Sequence, residues 1–478
     1  MTYRFILSSA TLALLSGCAG FMPPAQVPMV VAPTWHAPLP HQGSVSALSD
    51  WWQRQGDPLL VELIGAAQGV SPSVAQALAR IESTRANQVA ANAALIPNVS
   101  AQASASRGVS QANVPLATTL QGGLQASWEL DLVGANRAVS QAALAQLEGS
   151  QAQWHDARVS VAAEVANLYY SLRSCRQQLS VNQRDAASRQ QTARVTAVSA
   201  QAGFVAPSMA AMARASAADA NSRLTQQTAA CAIDTKGLVA LTGMVEPVLE
   251  QKLAVALLQQ AQVATFSIAS VPAQMVSQRP DVFAAERDVV LASAQVGSAK
   301  AQQWPRLSLN GSIGALRVTT APDTTSLSTW SFGPLALSLP LFDGGQRAAN
   351  VQSAQASYQS VVVAYQGKVR HAVREVEQAL VNMQSTQARA ADAQVATQAY
   401  TESMAATQTR FDQGLASLLE LEDTRRSALA AESALLALNL ERQRAWVALY
   451  RAVGGGFEPD KLALASTAAA VNTAVVQP

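Results

Sequence analysis

Two long stretches without proline limit most strongly what this chain can fold into. Between Gly134 and Gly203, and again between Gly344 and Gly414, the sequence contains no Pro and very little Gly. Helices of roughly 68 residues, rising about 1.5 Å per residue, form rods on the order of 100 Å long. Such rods must pack sideways on one another, and Ala-rich faces allow the close approach of a coiled coil.

The composition argues against several classes of function. Charged residues make up 13% of the chain, aromatic residues 5%, and the net charge is +2. This balance indicates no nucleic-acid partner, and four His and three Cys predict no metal or cofactor site. After the N-terminus, no apolar stretch reaches the roughly 18 residues of a helical membrane span. If the chain crosses a bilayer, it must do so as a closed β-barrel, because lipid cannot satisfy an open sheet edge.

The N-terminus has the pattern of a secretory signal. Arg4 precedes a short apolar run, residues 5–15, and the run ends in Leu-Ser-Gly-Cys at 15–18. This segment resembles the bacterial lipobox, which predicts cleavage after residue 17 and lipidation of Cys18. Ala19 favours the outer membrane by analogy with enterobacterial sorting. The alternative is an ordinary cysteine beside a plain secretory signal.

The remainder contains two similar halves. Each half is predicted to run helix, strand pair, long helix, glycine turn and returning helix. The segments that recur in the same order are 91–97 and 299–305, 130–134 and 339–345, 202–205 and 413–416, and 239–241 and 447–449.

Alternation of apolar and polar residues predicts two strands in each half. Leu120, Leu124 and Trp128 fall on one face of the first pair, whereas Gln121 and Glu129 fall on the other. Turn formers at 110–117 and 321–328 are predicted to join the strands of each pair. Ten-residue alternation is typical of transmembrane barrel strands, but a half-buried soluble sheet shows the same pattern, and both interpretations stay open here.

Four strands are too few to close a barrel, for which about eight is the practical minimum. Because lipid forbids open edges, subunits would have to pool their strands. Three chains with twelve strands are the simplest solution, so we infer a homotrimer.

Two cysteines are placed symmetrically about the first glycine turn. Cys175 lies 28 residues before Gly203 (203 − 175) and Cys231 lies 28 after it (231 − 203). In an antiparallel hairpin they come to the same height. An oxidising periplasm favours a disulfide between them, and the alternative is two separately buried thiols.

The chain resembles the TolC-like outer-membrane factor family, in its NodT/OprM-type efflux lipoprotein branch. The motifs that carry this resemblance are Trp51-Trp52, Asp57-Pro58, Ala79-Arg80-Ile81, Arg279-Pro280-Asp281-Val282, Ala284-Ala285-Glu286-Arg287, Gly297, Ala299, Leu339-Pro340-Leu341-Phe342-Asp343-Gly344-Gly345 and Leu449-Tyr450-Arg451-Ala452-Val453-Gly454-Gly455-Gly456. Each motif alone is weak, but in this order from about 48 to 457 they are specific.

The resemblance implies an α+β membrane protein. In it, four strands per chain contribute to a trimeric 12-stranded outer-membrane β-barrel, continued by a long α-helical barrel with an equatorial domain. It also implies a periplasmic adaptor protein and an inner-membrane pump, usually of the resistance-nodulation-division class, as partners. The channel would be lipid-anchored in the outer membrane, extend into the periplasm, and conduct drugs or other small toxic solutes passively.

The predicted boundaries follow from these assignments. They are 1–17 signal peptide, 18–48 lipidated Pro-rich tether, 49–96 equatorial and helical segment, 97–133 strands 1 and 2, 134–243 first helical hairpin, 244–304 equatorial linker and helices, 305–343 strands 3 and 4, 344–453 second helical hairpin, and 454–478 C-terminal equatorial or disordered tail.

The second glycine turn contains the predicted aperture. By resemblance, Leu419 and Asp423 fall where the family narrows its periplasmic opening, with Glu420 and Glu422 beside them. Leu419 and Asp423 are four residues apart and share a helix face, so threefold symmetry would form an apolar collar and a ring of carboxylates. The alternative is a solvated acidic face in which Glu422 pairs with Arg426.

The resemblance further implies that adaptors touch the two glycine turns. Plain hairpin packing is the alternative for each residue. The second copy has Arg410-Phe411 before its glycine, whereas the first has Val198-Ser199 at the matching place, so the first tip is expected to contribute less to locking or docking. The candidate contacts are Gly203, Phe204, Val205, Gly414, Leu415 and Ala416.

Three other functions compete with a drug-efflux channel. A type I protein-secretion conduit would share its architecture. A periplasmic coiled-coil adaptor would share the lipobox and the long helices, but it would need neither amphipathic strands nor a duplication. An enzyme is the weakest alternative, because Asp281 after Pro280 is better explained as a helix start than as a catalytic acid.

Overall fold

A computed structural model describes residues 22–29, 31, 35, 51–54, 56–109, 116–256, 276–320 and 323–457 of the chain. The predicted signal peptide and Cys18 lie outside the described residues, as does the predicted tail from residue 458 onward.

Helices dominate the described residues, and four strands accompany them. The helices are α1 (Trp51–Arg54), α2 (Pro58–Val70), α3 (Pro72–Ala93), α4 (Ala135–Gln201), α5 (Pro207–Thr242), α6 (Glu246–Ala256), α7 (Pro280–Ala301), α8 (Gln346–Asp412) and α9 (Leu418–Ala452). The strands are β1 (Asn98–Gly108), β2 (Ala117–Leu130), β3 (Arg306–Thr320) and β4 (Asp323–Ser338). The two stretches without proline thus form α4 and α8, which have 67 residues each.

Residue contacts divide the chain into two compact units. The sheet unit comprises residues 1–30, 77–153 and 282–368, and it holds all four strands. The hairpin unit comprises residues 31–76, 154–281 and 369–478, and it holds both helix-to-helix turns.

The two strand-to-helix junctions of the sheet unit are built alike. Asp131 accepts hydrogen bonds from the backbone N–H groups of Asn136 (3.2 Å) and Arg137 (2.9 Å) at the start of α4. Asp343 accepts from the N–H groups of Gly345 (3.0 Å) and Arg347 (3.2 Å) at the start of α8. These bonds satisfy amides that a helix N-terminus leaves without partners, and they lower the pKa of Asp343. The two junctions thus share one capping geometry.

The sheet is antiparallel throughout, in the order β1-β2-β3-β4. Its helix connections lie at one end, because β1 and β3 begin, and β2 and β4 end, next to helices. The pairs Gly108 with Ala117 and Thr320 with Asp323 mark the other end. In the described part of one chain, no strand pairs with the outer edge of β1 or β4.

One face of the sheet is apolar and uncovered. Ala101, Leu124, Ile313 and Trp330 form one row across the four strands, and Trp330 is 79% exposed. A further row ends in Phe332, which is 83% exposed. The other face carries amides and hydroxyls: the side chain of Gln102 donates to Gln125 (2.9 Å), and Ser312 bonds Ser331 (2.8 Å). A folded chain that leaves such a face bare needs a partner for it, either lipid or protein.

The second strand pair differs from the prediction. Residues 321–328 were expected to form a turn, but β4 already begins at Asp323 and pairs with β3. Its Ser- and Thr-rich start resembles a loop in composition, yet Leu327 pairs with Leu316 and Thr324 with Thr319. The end of β4 also differs from the predicted boundary at residue 343. The strand stops at Ser338, two residues before Pro340, which has no N–H to donate to a neighbouring strand.

The hairpin unit has a core of aromatic rings and buried ion pairs. Trp51 stacks on Tyr450 with ring centroids 6.1 Å apart. Asp57 caps α2 and accepts from the hydroxyl of Tyr169 (2.8 Å) and the guanidinium of Arg173 (3.0 Å). Trp51 and Asp57, which belong to two of the motifs that carry the family resemblance, therefore pack the interior of the hairpin unit.

Arg279, the first residue of the motif at 279–282, is held by three hydrogen-bond acceptors. Its guanidinium donates to Asp281 (2.9 Å), to Glu375 (2.7 Å) and to the carbonyl of Ala452 at the end of α9 (2.8 Å). It is 6% exposed. Asp281 lies in the first turn of α7, so this cluster joins the first turn of α7 to Glu375 and to the end of α9.

Among the described residues, no single helix is both long and apolar enough to cross a membrane. One bent pair, Pro207–Thr242 with Glu246–Val255 at 113°, meets the criterion by length and composition only.

Cys175 on α4 and Cys231 on α5 are joined by a disulfide bond, with their Cα atoms 5.6 Å apart. Both side chains are buried. The bond links residues 56 apart in sequence and therefore ties the two helices of the first hairpin together.

We expect the disulfide to be formed and stabilising in the mature protein. Denatured, unreduced protein should show no reactive thiol from this pair, and reduction should release two. A Cys175→Ala/Cys231→Ala variant should lose about 4 kcal/mol of stability in the chain-entropy model. Two reactive thiols before reduction would contradict the pairing.

Candidate aperture and hairpin tips

The two helix-to-helix turns share one backbone geometry. Gly203 and Gly414 have φ values of +81° and +74°, which suit glycine at the C-terminal end of a helix. The N–H of Phe204 donates to the carbonyl of Ser199 (2.9 Å), and the N–H of Leu415 donates to that of Arg410 (2.8 Å). Each bond closes the last turn of a long helix in the Schellman manner.

This geometry corrects the sequence alignment of the tips by one residue. The residue that matches Arg410 is Ser199, not Val198, because both accept the closing hydrogen bond. Phe411 then matches Ala200. The conclusion that the first copy lacks the Arg-Phe pair is unchanged.

The second tip is braced by side chains. Arg410 donates to Glu420 (2.8 Å) and to the carbonyl of Leu415 (3.2 Å). Ser417 caps α9 by accepting from the N–H of Glu420 (3.1 Å). At the first tip, Ala206 precedes α5 without a side-chain cap. The second tip therefore has a side-chain cap that the first tip lacks.

Both tips expose apolar side chains. Phe204 is 84% exposed and Leu415 is 66% exposed, whereas Val205 and Ala416 are half-buried. Below the tips, Leu418 is fully buried and packs with Ala193 of α4 and Ala213 of α5, and further side chains cover this cluster. The hairpins are thus packed together just behind exposed tips. The covering residues are Met209, Ala217 and Phe411.

The first turns of α9 separate an outer face from a buried face. Leu419 is 60% exposed, and Asp423, one turn further on, is also exposed. Asp423 forms an exposed ion pair with Arg426 at 3.4 Å, and such a pair contributes at most about 1 kcal/mol. Leu419 and Asp423 therefore lie on one accessible face, as their spacing predicts.

Glu422 belongs to the buried face, which corrects its assignment to the aperture. It is 7% exposed. It accepts hydrogen bonds from Arg189 of α4, from the hydroxyl of Ser216 of α5 (2.8 Å) and from Arg425 of α9 (3.1 Å). The pair of Glu422 with Arg426, which belonged to the alternative interpretation, does not form either, since Glu422 pairs with Arg189 and Arg425 and Arg426 pairs with Asp423. A carboxylate held in this way cannot line an opening.

Arg425 and Arg189 extend this buried network. Arg425 donates to Gln408 of α8 (2.6 Å) and to Ser188 of α4 (2.9 Å). Arg189 also pairs with Asp185 at 2.8 Å. Burial lowers the pKa of Arg425, and the charge of Glu422 opposes that effect. The network connects all four helices of the two hairpins one turn behind Leu419.

Sequence reasoning did not identify Arg189 or Arg425. In the sequence, each of them is simply an arginine among small residues of a long helix, and arginines on solvated helix faces show the same pattern. In the part of the chain that the structure describes, no three His, Cys, Asp or Glu side chains are grouped as metal ligands.

Two solved structures of outer-membrane channels have a similar fold. The CmeC channel of Campylobacter jejuni matches with a TM-score of 0.80 at 22% identity, over 92% of this chain and 97% of CmeC. The open-state MtrE channel of Neisseria gonorrhoeae matches with a TM-score of 0.75 at 27% identity, over 91% and 99%.

The chain belongs to the outer membrane efflux protein family, whose sequence pattern matches residues 63–244 and 271–455. Outer membrane protein OprJ of Pseudomonas aeruginosa is 29% identical over 478 residues, which cover 96% of this chain and 97% of OprJ. The family resemblance is confirmed, and so is the predicted combination of long helices with four strands in each chain.

Proposed function

We propose that this protein is the outer-membrane channel of a tripartite efflux system. It conducts drugs or other small toxic solutes passively and performs no covalent step. Membership of the efflux family supports this assignment over a periplasmic adaptor. A type I protein-secretion conduit remains the alternative with the same architecture.

The observation that carries the proposal is the sheet with two open edges and one bare apolar face. Four strands cannot close on themselves at a practical barrel size, and an open edge cannot be left in lipid. Because β1 and β4 run in opposite directions, the β4 of one copy can pair antiparallel with the β1 of the next. Three copies give a 12-stranded barrel with its apolar face toward lipid and its amides and hydroxyls toward water.

The proposed orientation follows from the predicted periplasmic partners. The end of the sheet next to the helices faces the periplasm, and the opposite end faces the outside. Cys18 is the lipidation site, and its acyl chains add outer-membrane affinity to that of the barrel.

The hairpin tips supply the aperture and the docking surface. Three copies of Leu419 and Asp423 form an apolar collar and a ring of carboxylates, with Glu420 held beside them by Arg410. Phe204 and Leu415 are exposed and contact the periplasmic adaptor, together with Val205 and Ala416 beside the turn residues Gly203 and Gly414. An inner-membrane pump of the resistance-nodulation-division type delivers the solute.

Reconstitution into planar bilayers tests the proposed function. Purified protein is expected to produce stepwise ion currents from a water-filled pore. Folded, membrane-inserted protein that gives no such steps would contradict the channel assignment.

A further inference from the structure

Residues 22–24, which follow the predicted lipidation site, lie in the sheet unit against α7 and α8. Pro23 and Pro24 have no N–H groups, so this segment offers carbonyls to its surroundings. The hydroxyl of Ser293 on α7 donates to the carbonyl of Pro23 (2.6 Å), and the hydroxyl of Tyr358 on α8 donates to that of Pro24 (2.7 Å). Ser293 is 1% exposed. Consecutive carbonyls of the segment are thus bound by two different helices.

Gly297 makes room for the residue before the two prolines. A methyl group placed on Gly297 would come within 2.6 Å of Cγ and 3.2 Å of Cε of Met22. Gly297 lies inside α7, where glycine costs up to about 1 kcal/mol relative to alanine. Because Ser293 and Gly297 are four residues apart, they share a helix face. Glycine at position 297 therefore makes α7 less stable than alanine would, but it leaves space for Met22.

We propose that Gly297, Ser293 and Tyr358 form a seat that holds the N-terminal segment and thereby fixes where the lipid anchor enters the membrane. We call these three residues the tether seat. The proposal rests on lipidation of Cys18, which is part of the proposed function, but the seat itself is defined by contacts of the folded chain.

The seat restricts the anchor to a short reach. Cys18 precedes Met22 by four residues, and an extended chain spans at most about 3.6 Å per residue. The acyl-bearing residue therefore lies within about 14 Å of Met22. Gly297 is four residues before the end of α7, and β3 begins at Arg306. The seat is thus at the base of the sheet, and it brings the acyl chains to the periplasmic boundary of the barrel.

The order of a spin label on the segment tests the seat. Gln26 is exposed, and a Gln26→Cys variant would carry the one free thiol, given the Cys175–Cys231 bond and an acylated Cys18. A nitroxide there is expected to be immobilised in the full-length protein. Gly297→Ala, and separately the pair Ser293→Ala with Tyr358→Phe, should lose the immobilised component and gain a mobile one.

Gly65→Ala is the matched control, because Gly65 is a helical glycine with nothing within 4 Å of an added methyl group. It should leave the spectrum unchanged. Gly297→Ala replaces glycine by a better helix former, so misfolding of α7 is not the expected cause of mobility. An immobilised label in both sets of seat variants would overturn the proposal.

A Cys18→Ser version separates the seat from the anchor. The label should remain immobilised without the lipid, since the contacts belong to the protein. A label that becomes mobile on loss of the lipid alone would show that the anchor orders the segment, and would also overturn the seat. Neither result depends on whether the protein conducts.

Discussion

Leu419→Ala and Asp423→Ala are each expected to raise the single-channel conductance of the reconstituted protein severalfold. The first substitution removes an apolar side chain that is 60% exposed, and the proposed trimer would lose three of them at the proposed aperture. The second removes three carboxylates of the proposed trimer, one from each chain. Their ion pairs with Arg426 are exposed and contribute little to the free energy of unfolding. A wider, less charged opening passes more current.

Leu415→Ala is the matched control for this prediction. Leu415 is 66% exposed and lies four residues from Leu419, but it belongs to the tip and not to the α9 face. Its substitution should leave the conductance of the isolated channel unchanged. Asp423→Asn should additionally lower the preference for cations, measured as a shift in reversal potential. Unchanged conductance in both Leu419→Ala and Asp423→Ala would remove the aperture from this position.

Glu422→Gln is expected to destabilise the hairpin unit by about 3–5 kcal/mol per chain, the usual cost of breaking a buried ion pair. The substitution preserves shape, so no cavity forms. It leaves the guanidinium groups of Arg189 and Arg425, both buried, without the carboxylate that they share. A fall in the urea concentration at the unfolding midpoint, followed by circular dichroism, measures the effect.

Glu420→Gln provides the comparison two residues away. Glu420 pairs with Arg410, and the two side chains are 42% and 53% exposed, so about 1 kcal/mol or less should be lost. In the proposed channel, the aperture of the Glu422 variant should also open more readily, because the buried network that connects α9 to α4, α5 and α8 is broken. If the two variants lost the same stability, the buried network would not be what fixes α9.

The sequence predicted the elements whose cause is local. The absence of proline from 135–201 and from 346–412 sufficed for α4 and α8, and alternation sufficed for the central parts of the strands. The start of β4 was missed because the Ser and Thr residues near Asp323 have the composition of a turn. Only their register with β3 shows that they continue the ladder.

Residues whose role depends on packing between helices were harder to predict. Spacing placed Leu419 and Asp423 on one face of α9, and the structure has them there. The same spacing could not show that Glu422 turns toward Arg189, which is 233 residues away. The tether seat was missed for the same reason: Gly297 was visible as part of a family motif, but its neighbour Met22 lies 275 positions earlier (297 − 22).

The central claim is that neighbouring copies complete the barrel wall by pairing β4 with β1. A cysteine at Ser328 in β4 can be combined in turn with cysteines at Val99, Ala101, Ala103 and Ala105 in β1, all on one face of the sheet. Oxidation in the outer membrane should, for at least one of these registers, produce a covalent species of three chains and none larger, whereas single-cysteine controls should stay as single chains. A protein that remains a single chain in every register, with its apolar face covered by its own helices, would contradict the shared barrel and the channel with it.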